Sequence, residues 1–429
     1  MYRRSFLETL GKTSLALPWT SILAGASVRV SAATAARSGV EPDVLARDEA
    51  FWREIAAEFS PAADFINLEY GYYHAAAVPT LEAELRAARD LHRRSSRYKR
   101  TQMREDHEAA RLALASLAGV SPEEVAVTRN ATESINTVIQ GLDLMPGEEI
   151  VYSNQDYGSV VETLEQKAKR FGVMLREIAL PLDPSSDEEV VQAYLAGFTP
   201  RTKLVVVTQM INLTGQVLPV RAICDAAHAR GVEVLVDAAH AFAHVDTSIA
   251  ELNCDYLGTS LHKWLCSPLG MGLLYVKREK ISKVWPFMAD MRLAATDIRK
   301  FEQLGTRPES AHRGILTAIE FHRAIGGANK LARLRYLHAT WAQKVRTWPR
   351  ARVLTPREAR RHGAVGTLMI EGVDPKSLAQ YWFNEHRLFT APLGHPVIQG
   401  VRVTPGVPTP IAHIDLFVEA VQAALARFT

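Results

Sequence analysis

The stretch Val232–Ala241 reads VEVLVDAAHA, and it decides the fold. Its apolar, β-branched run makes a buried strand of the kind found inside a sheet covered by helices. The strand ends in a carboxylate, Asp237, and His240 follows three residues later. A carboxylate at the end of an apolar strand is costly unless it has a partner, and in open α/β sheets ligands gather at the carboxyl ends of strands. Asp237 therefore reads as a binding residue. A cap on a following helix is the alternative that this stretch leaves open.

Five further runs share the character of this strand: VAVT from Val125, EEIVYS from Glu148, MLREIAL from Met174, TKLVVVT from Thr202 and GLLYV from Gly272. Strands alternating with helices of ten or more residues imply βαβ crossovers, with helices on both faces of a mainly parallel sheet. This is the large domain, residues 80–305, which opens with two charged helices between Leu81 and Leu117, stopped by Gly119. Residues 36–79 form an arm: an amphipathic helix at Asp43–Glu58, then the aromatic, turn-rich FINLEYGYYHAAAVP. Residues 306–429 hold a long helical region (Glu309–Thr347), short strands and a last helix from His413, the α+β pattern of a smaller second domain.

A chain of 429 residues with 47% hydrophobic and 23% charged residues has room for two domains with real cores. A net charge of +3 gives no global argument for nucleic acid or an anionic membrane. The basic run LHRRSSRYKRTQMR (91–104) is followed at once by acidic residues and has no recognition fold around it, so it reads as a solvated helix face, with recognition of an anionic substrate as the alternative. No GxGxxG or GxxxxGK[ST] loop appears. Cys224, Cys254 and Cys266 are odd in number and too far apart for a CxxC motif, which leaves three structural thiols.

The N-terminus has the layout of an export signal: Arg3 and Arg4 before Phe6 and Leu7, an apolar stretch from Leu15 to Val28, then the small residues VSAATAA. It is too short and too polar to span a bilayer. RRSFL resembles the twin-arginine signal, with Tyr2 and Glu8 where that motif usually has Ser and Lys. Residues 1–35 are thus expected to direct export by the twin-arginine machinery to the periplasm, with cleavage after Ala32 or Ala35.

Two more stretches join Asp237. TRNATESIN (128–136) lies where a strand gives way to a helix, and the free N–H groups of such a junction attract anions. TSLHKWLCSPLGMG (259–272) places Lys263 26 positions after Asp237, flanked by Ser260 and His262. An anion site, a strand-end acid and a lysine, in that order, suggest a cofactor.

NATES, NLTGQVLPV, DAAHA, SLHKW, LGTRP and VRVT occur in this order. Together they resemble the fold-type I, pyridoxal-phosphate-dependent superfamily, and within it the class V aminotransferase group that holds isopenicillin N epimerase-like proteins and cysteine desulfurases. The resemblance implies that Lys263 bonds covalently to pyridoxal 5'-phosphate and later moves the α-proton. It implies that Asp237 holds the pyridinium nitrogen protonated and that Asn212 and His240 bond the ring's phenolic oxygen. Tyr157 would stack on the ring, with Asp156 the alternative one position away. The phosphate would lie on Ala131 and Thr132, assisted by Ser260 and His262. A Gly-Thr turn from the neighbouring subunit, Gly305 and Thr306, would complete that site and implies a homodimer. Arg402 would grip the substrate α-carboxylate.

Three departures narrow the reading. LFTAPLGHPVIQG (388–400), where desulfurases carry a nucleophilic cysteine, has none, so a persulfide route is not expected. PGVPTPIAHID follows VRVT where the family usually has a Tyr-Asn pair. Tyr72, Tyr73 and His74 stand where relatives have smaller residues, which suggests an aromatic substrate entrance. HAFAH spaces His240 and His244 by four but lacks the Glu of HExxH and a third ligand, so no metal site is expected. The expected function is an enzyme acting at the α-carbon of an amino acid or amino-acid-bearing natural product, by transamination or epimerisation. C–S lysis, oxidative tailoring of a secreted peptide such as a siderophore, and a catalytically silent binding protein are the alternatives.

Overall fold

VEVLVD closes as β5 (Glu233–Asp237) at the centre of a seven-stranded sheet because its side chains alternate between two apolar layers. Val234 and Val236 enter the core on one face and Leu235 the core on the other, all fully buried. The computed structural model describes residues 20–428, with side chains from Val28 onward, so Arg3 and Arg4 lie outside the described residues.

The other strands are β1 (Val125–Thr128), β2 (Glu149–Ser153), β3 (Met174–Ile178), β4 (Thr202–Thr208), β6 (Tyr256–Ser260) and β7 (Gly272–Val276). Their order is β1-β7-β6-β5-β4-β2-β3, and only β7 runs antiparallel to the rest. Strand β6 is the one that the β-branched runs do not announce. Gly258 interrupts it for a packing reason: a Cβ there would meet Ser134 Cβ at 2.9 Å and Ile135 Cγ1 at 2.8 Å. The register sets Thr208 beside Asp237 and Asp237 beside Gly258, which gathers the carboxyl ends of β4, β5 and β6 at one edge.

Helices cover both faces. Ile135 and Val138 of helix Ala131–Gly141 and Leu164 of Gly158–Phe171 pack on one side. Leu114 of Met103–Ala118, Tyr194 of Asp187–Ala196 and Ile223 of Val220–His228 pack on the other. Each fully buried aliphatic side chain contributes roughly 1.5–3 kcal/mol. The long helical region divides at Gly326 (φ +89°) into Ala311–Ile325 and Gly327–Val345. The first of these puts Ile315 and Ile319 into the large-sheet core.

A four-stranded antiparallel sheet forms the second layer: β8 (Ala351–Val353), β9 (Gly366–Ile370), β10 (Ala391–Gly394) and β11 (Gln399–Val403), in the order β10-β11-β9-β8. Its core is Trp341, Trp382 and Phe417 from the helices that back it. The arm lies against this layer. Ile66–Asn67 pairs in parallel with Leu388–Phe389, and Glu69 bridges to Thr404 just after β11.

Helix Thr20–Ala35 spans the expected cut after Ala32 and ends at the other. Val30 and Ala33 are buried in a cluster with Phe51, Trp52 and Phe321, Arg29 pairs with Glu58, and the Thr34 hydroxyl donates to the Ala324 carbonyl at 2.9 Å. Among the described residues no helix is long and apolar enough to cross a membrane. In the basic run, Arg93 and Arg94 pair with Asp90 while Arg97, Lys99 and Arg100 face solvent; Tyr98 is buried, and its hydroxyl donates to Asp106 at 2.7 Å.

Candidate active site

Strand end, helix start and loop converge on one pocket. Asp237 closes β5, only 4% exposed, and its Oδ1 accepts the Ala239 N–H at 2.9 Å. No helix follows Asp237 directly: residues 239–244 form turns, and the next helix, Ile249–Leu252, is capped by Ser248. The Ala239 contact therefore closes a turn and the helix-cap alternative falls away, while both Asp237 and Lys263 line the pocket. Burial raises the Asp237 pKa, opposed by the Ala239 N–H and by Lys263.

Lys263 follows β6 in a turn that Cys266 tightens with φ +58°. Burial lowers the Lys263 pKa to about 8, with Asp237 working in the opposite direction and Arg402 adding to the fall. Its Nζ is 3.0 Å from His240 Nε2. Burial, then the Lys263 charge, drives the His240 pKa well down, so the imidazole is neutral. Either Nζ or Nε2 can donate across this contact, and buried His240 Nδ1 has no protein partner.

The anion end lies at helix Ala131–Gly141. Asn130 caps that helix, its Oδ1 accepting the Glu133 N–H at 2.9 Å, and the Ala131 N–H donates to Ser260 Oγ at 2.9 Å. The β7 residue Gly272 permits the approach, since a Cβ there would stand 2.6 Å from Asn130 N and Cα. Ala131, Thr132, Ser260 and His262 all line the pocket, and buried His262 Nδ1 is unpartnered.

At the opposite end Arg402 projects from β11, and Asn212, with a buried unpartnered Oδ1, stands beside it. Tyr72, Tyr73 and Tyr157 line the mouth. Asp156 does not: it is buried under the sheet edge, accepting the Thr208 hydroxyl at 2.6 Å and the Ser153 N–H at 2.7 Å. Gly305 and Thr306 are absent from this lining.

Comparison with known proteins places this geometry. The profile of aminotransferase class-V matches residues 76–399. The chain belongs to the class-V aminotransferase family. It is 31% identical over 306 residues to an isopenicillin N epimerase of Amycolatopsis lactamdurans, covering 67% of this chain and 77% of that one. An isopenicillin N epimerase of Streptomyces clavuligerus is 29% identical over 331 residues, covering 73% and 83%. A probable cysteine desulfurase of Synechocystis is 34% identical over a shorter 178 residues, 41% of each chain. Among solved structures, the cysteine desulfurase CsdA of Escherichia coli superposes with a TM-score of 0.75 at 20% identity, covering 88% of this chain and 99% of that one. The apo cysteine desulfurase of Thermococcus onnurineus gives 0.76 at 20% identity, covering 87% and 98%.

The fold is that of the fold-type I pyridoxal-phosphate enzymes, and pyridoxal phosphate is the cofactor of this class-V enzyme. The residues present fit it. Three buried polar atoms on lining residues, Asn212 Oδ1, His240 Nδ1 and His262 Nδ1, lack protein partners, as a site built for a polar group requires. The positive end of helix Ala131–Gly141, with the hydroxyls of Thr132 and Ser260 lining the pocket beside it, suits the phosphate, and an amine of depressed pKa suits the aldehyde.

Other features of the class-V chain are structural. Both ring nitrogens of His244 are taken by backbone, Nδ1 by the His240 carbonyl and Nε2 by the Ala364 N–H, and the ring packs on Trp264. All three cysteines are buried and none lines the pocket. Burial raises the Cys224 thiol to about 12 and Cys266 to about 11. Asn130 and Thr208, which also line the site, were legible as a helix cap and a strand end, but not as pocket walls. Glu69, behind Arg402, carried no sequence signal beyond being a charge in an aromatic turn.

Proposed function

We propose that this class-V enzyme labilises a bond at the α-carbon of an amino acid or amino-acid-bearing compound, with transamination or epimerisation as the outcome. The observation that carries this is Lys263, a buried amine of depressed pKa, facing neutral His240 and sharing a pocket with Asp237 and Arg402. Bound pyridoxal phosphate supplies an electron sink for the carbanion that proton loss leaves. Asp237 holds the ring nitrogen and favours its protonated form. Asn212 and His240 would orient the ring through its phenolic oxygen, and Tyr157 would stack on it. Ala131, Thr132, Ser260 and His262 anchor the phosphate. Lys263 Nζ would take the α-proton; epimerisation would need a proton delivered to the opposite face of the α-carbon, and transamination the return of the proton away from it. Arg402 anchors the group attached to the α-carbon.

Burial of every cysteine away from the pocket disfavours a persulfide route, and retention of both Lys263 and Asp237 disfavours a silent binding protein. The protein acts as a homodimer in this reading, with Gly305 and Thr306 serving a neighbour's phosphate site as the family resemblance implies. Export through the twin-arginine route completes the proposal. Fractionation of cells making the wild type and the Arg3→Lys/Arg4→Lys variant tests it: equal distribution of the two would remove the claim.

Incubation with amino acids in deuterated water tests the chemistry. Deuterium at the α-carbon with the amine retained indicates epimerisation, and a keto acid indicates transamination. Released thiol or pyruvate would instead mark a lyase. A wild-type protein that gains no visible absorbance with pyridoxal phosphate would sink the reading altogether.

A further inference from the structure

Glu69 is a buried charge beside the pocket that the chemistry above does not use. Its carboxylate meets Arg402 side on, accepting from Nε at 3.0 Å and Nη2 at 2.8 Å, with the two side chains 4% and 8% exposed. The arm fixes it there: Glu69 bridges Thr404, its N–H donates to Asn67 Oδ1, and its Oε1 also accepts the Tyr72 N–H at 3.0 Å. Gly71 leaves room for the carboxylate, since a Cβ would stand 3.0 Å from Oε1. A third Arg402 N–H, on Nη1, goes to the Asn212 carbonyl at 3.1 Å.

A guanidinium has five N–H donors, so two remain for a ligand, on a side chain whose charge is already matched. We propose that Glu69 tunes Arg402 to hold a neutral carbonyl oxygen, so that the substrate carries its α-carboxyl group as an amide or peptide bond. This rests on the α-carbon chemistry proposed above. A free carboxylate would surrender its hydration to meet a neutral ion pair, with a second carboxylate close behind it. A carbonyl surrenders far less and still finds two donors. The mouth agrees with a substrate that continues past the amide: Tyr72, Tyr73 and Tyr157 are 57%, 54% and 41% exposed, a broad aromatic wall.

Titration of the holoenzyme with L-alanine and L-alaninamide, and with L-phenylalanine and L-phenylalaninamide, tests this, with binding read from the change in cofactor absorbance. The wild type is expected to bind the amide of each pair about tenfold more tightly than the acid. Glu69→Gln, which bares the Arg402 charge, is expected to reverse that preference, and Glu69→Asp to restore it. Wild-type preference for the acid, equal weakening of both ligands by Glu69→Gln, or a coloured enzyme that binds neither amide would overturn the role of Glu69. A protein that never gains the cofactor band refutes the cofactor reading instead. If Glu69→Gln does not fold, the wild-type ratio and Glu69→Asp decide the matter.

Discussion

Lys263 Nζ stands 3.0 Å from His240 Nε2 in a wall of the pocket that Asp237 also lines. At hydrogen-bond distance the amine thus meets a neutral imidazole and not a counter-charge. Burial favours its neutral, nucleophilic form, which takes its pKa from the ordinary 10.5 to about 8. Attachment of pyridoxal phosphate to the apo-protein, followed by absorbance and trapped by borohydride, is expected to rise with pH through about 8 and then level off. Because Asp237 opposes the shift, Asp237→Asn moves that midpoint lower, and Lys263→Ala abolishes trapping. A midpoint near 10.5 would show an amine open to solvent.

Asp156 carries a second consequence of burial. Its pKa is raised to about 7 from 3.8, chiefly by desolvation, with the Thr208 and Ser153 hydrogen bonds opposing and Asp237 adding to the rise. The unfolded chain loses this proton near pH 4 and the folded chain only near 7. Stability from this group is thus full below about pH 4 and is lost as pH rises through 7. Asp156→Asn removes the titration, so the wild type's unfolding free energy minus the variant's is expected to fall by roughly 2–4 kcal/mol between pH 4 and 8, the buried histidines titrating alike in both. Parallel profiles for the two would exclude Asp156 as the source.

Gly272 is where β7 passes beneath the start of helix Ala131–Gly141, and a Cβ there would stand within 2.6–2.8 Å of the Asn130 backbone. Neither neighbour is the free end of a flexible side chain, so Gly272→Ala must move the helix start. It is expected to cost about 1–3 kcal/mol of stability. It should also weaken retention of pyridoxal phosphate on gel filtration, whereas Gly270→Ala, with nothing within 4 Å, should cost only the strain of its positive φ and leave retention unchanged. Equal losses of cofactor from both variants would separate Gly272 from the anion site.

Six strands were legible because β-branched runs between helical stretches leave little choice of partner or layer. Strand β6 was not, because Gly258 replaces the expected side chain for the sake of Ile135, 123 residues earlier (258 minus 135). Asp237 on β5, and Asn212 and His240 in the loops after β4 and β5, were legible through their motifs, whereas Thr208 at the end of β4 was not. Glu69 was not, since its contact with Arg402 joins positions 333 residues apart and only the docking of the arm on β11 brings them together.

The N-terminal helix is where sequence layout and packing pull apart, and it supports a last prediction. Basic, apolar and small residues in that order describe a removable leader, and cleavage after Ala35 would discard everything before it. Yet Val30 and Ala33 are buried against the body, Arg29 is bidentate to Glu58 at 2.8 and 2.9 Å, and Thr34 reaches the Ala324 carbonyl. Burial of those two side chains contributes roughly 2–4 kcal/mol, and exposed Arg29 adds little. A chain beginning at Ser27 is therefore expected to melt close to the full-length protein, and one beginning at Ala36 several degrees lower. Equal melting of the two truncations would mean that Val30 and Ala33 contribute nothing to the folded body, and that cleavage at either expected point is structurally silent.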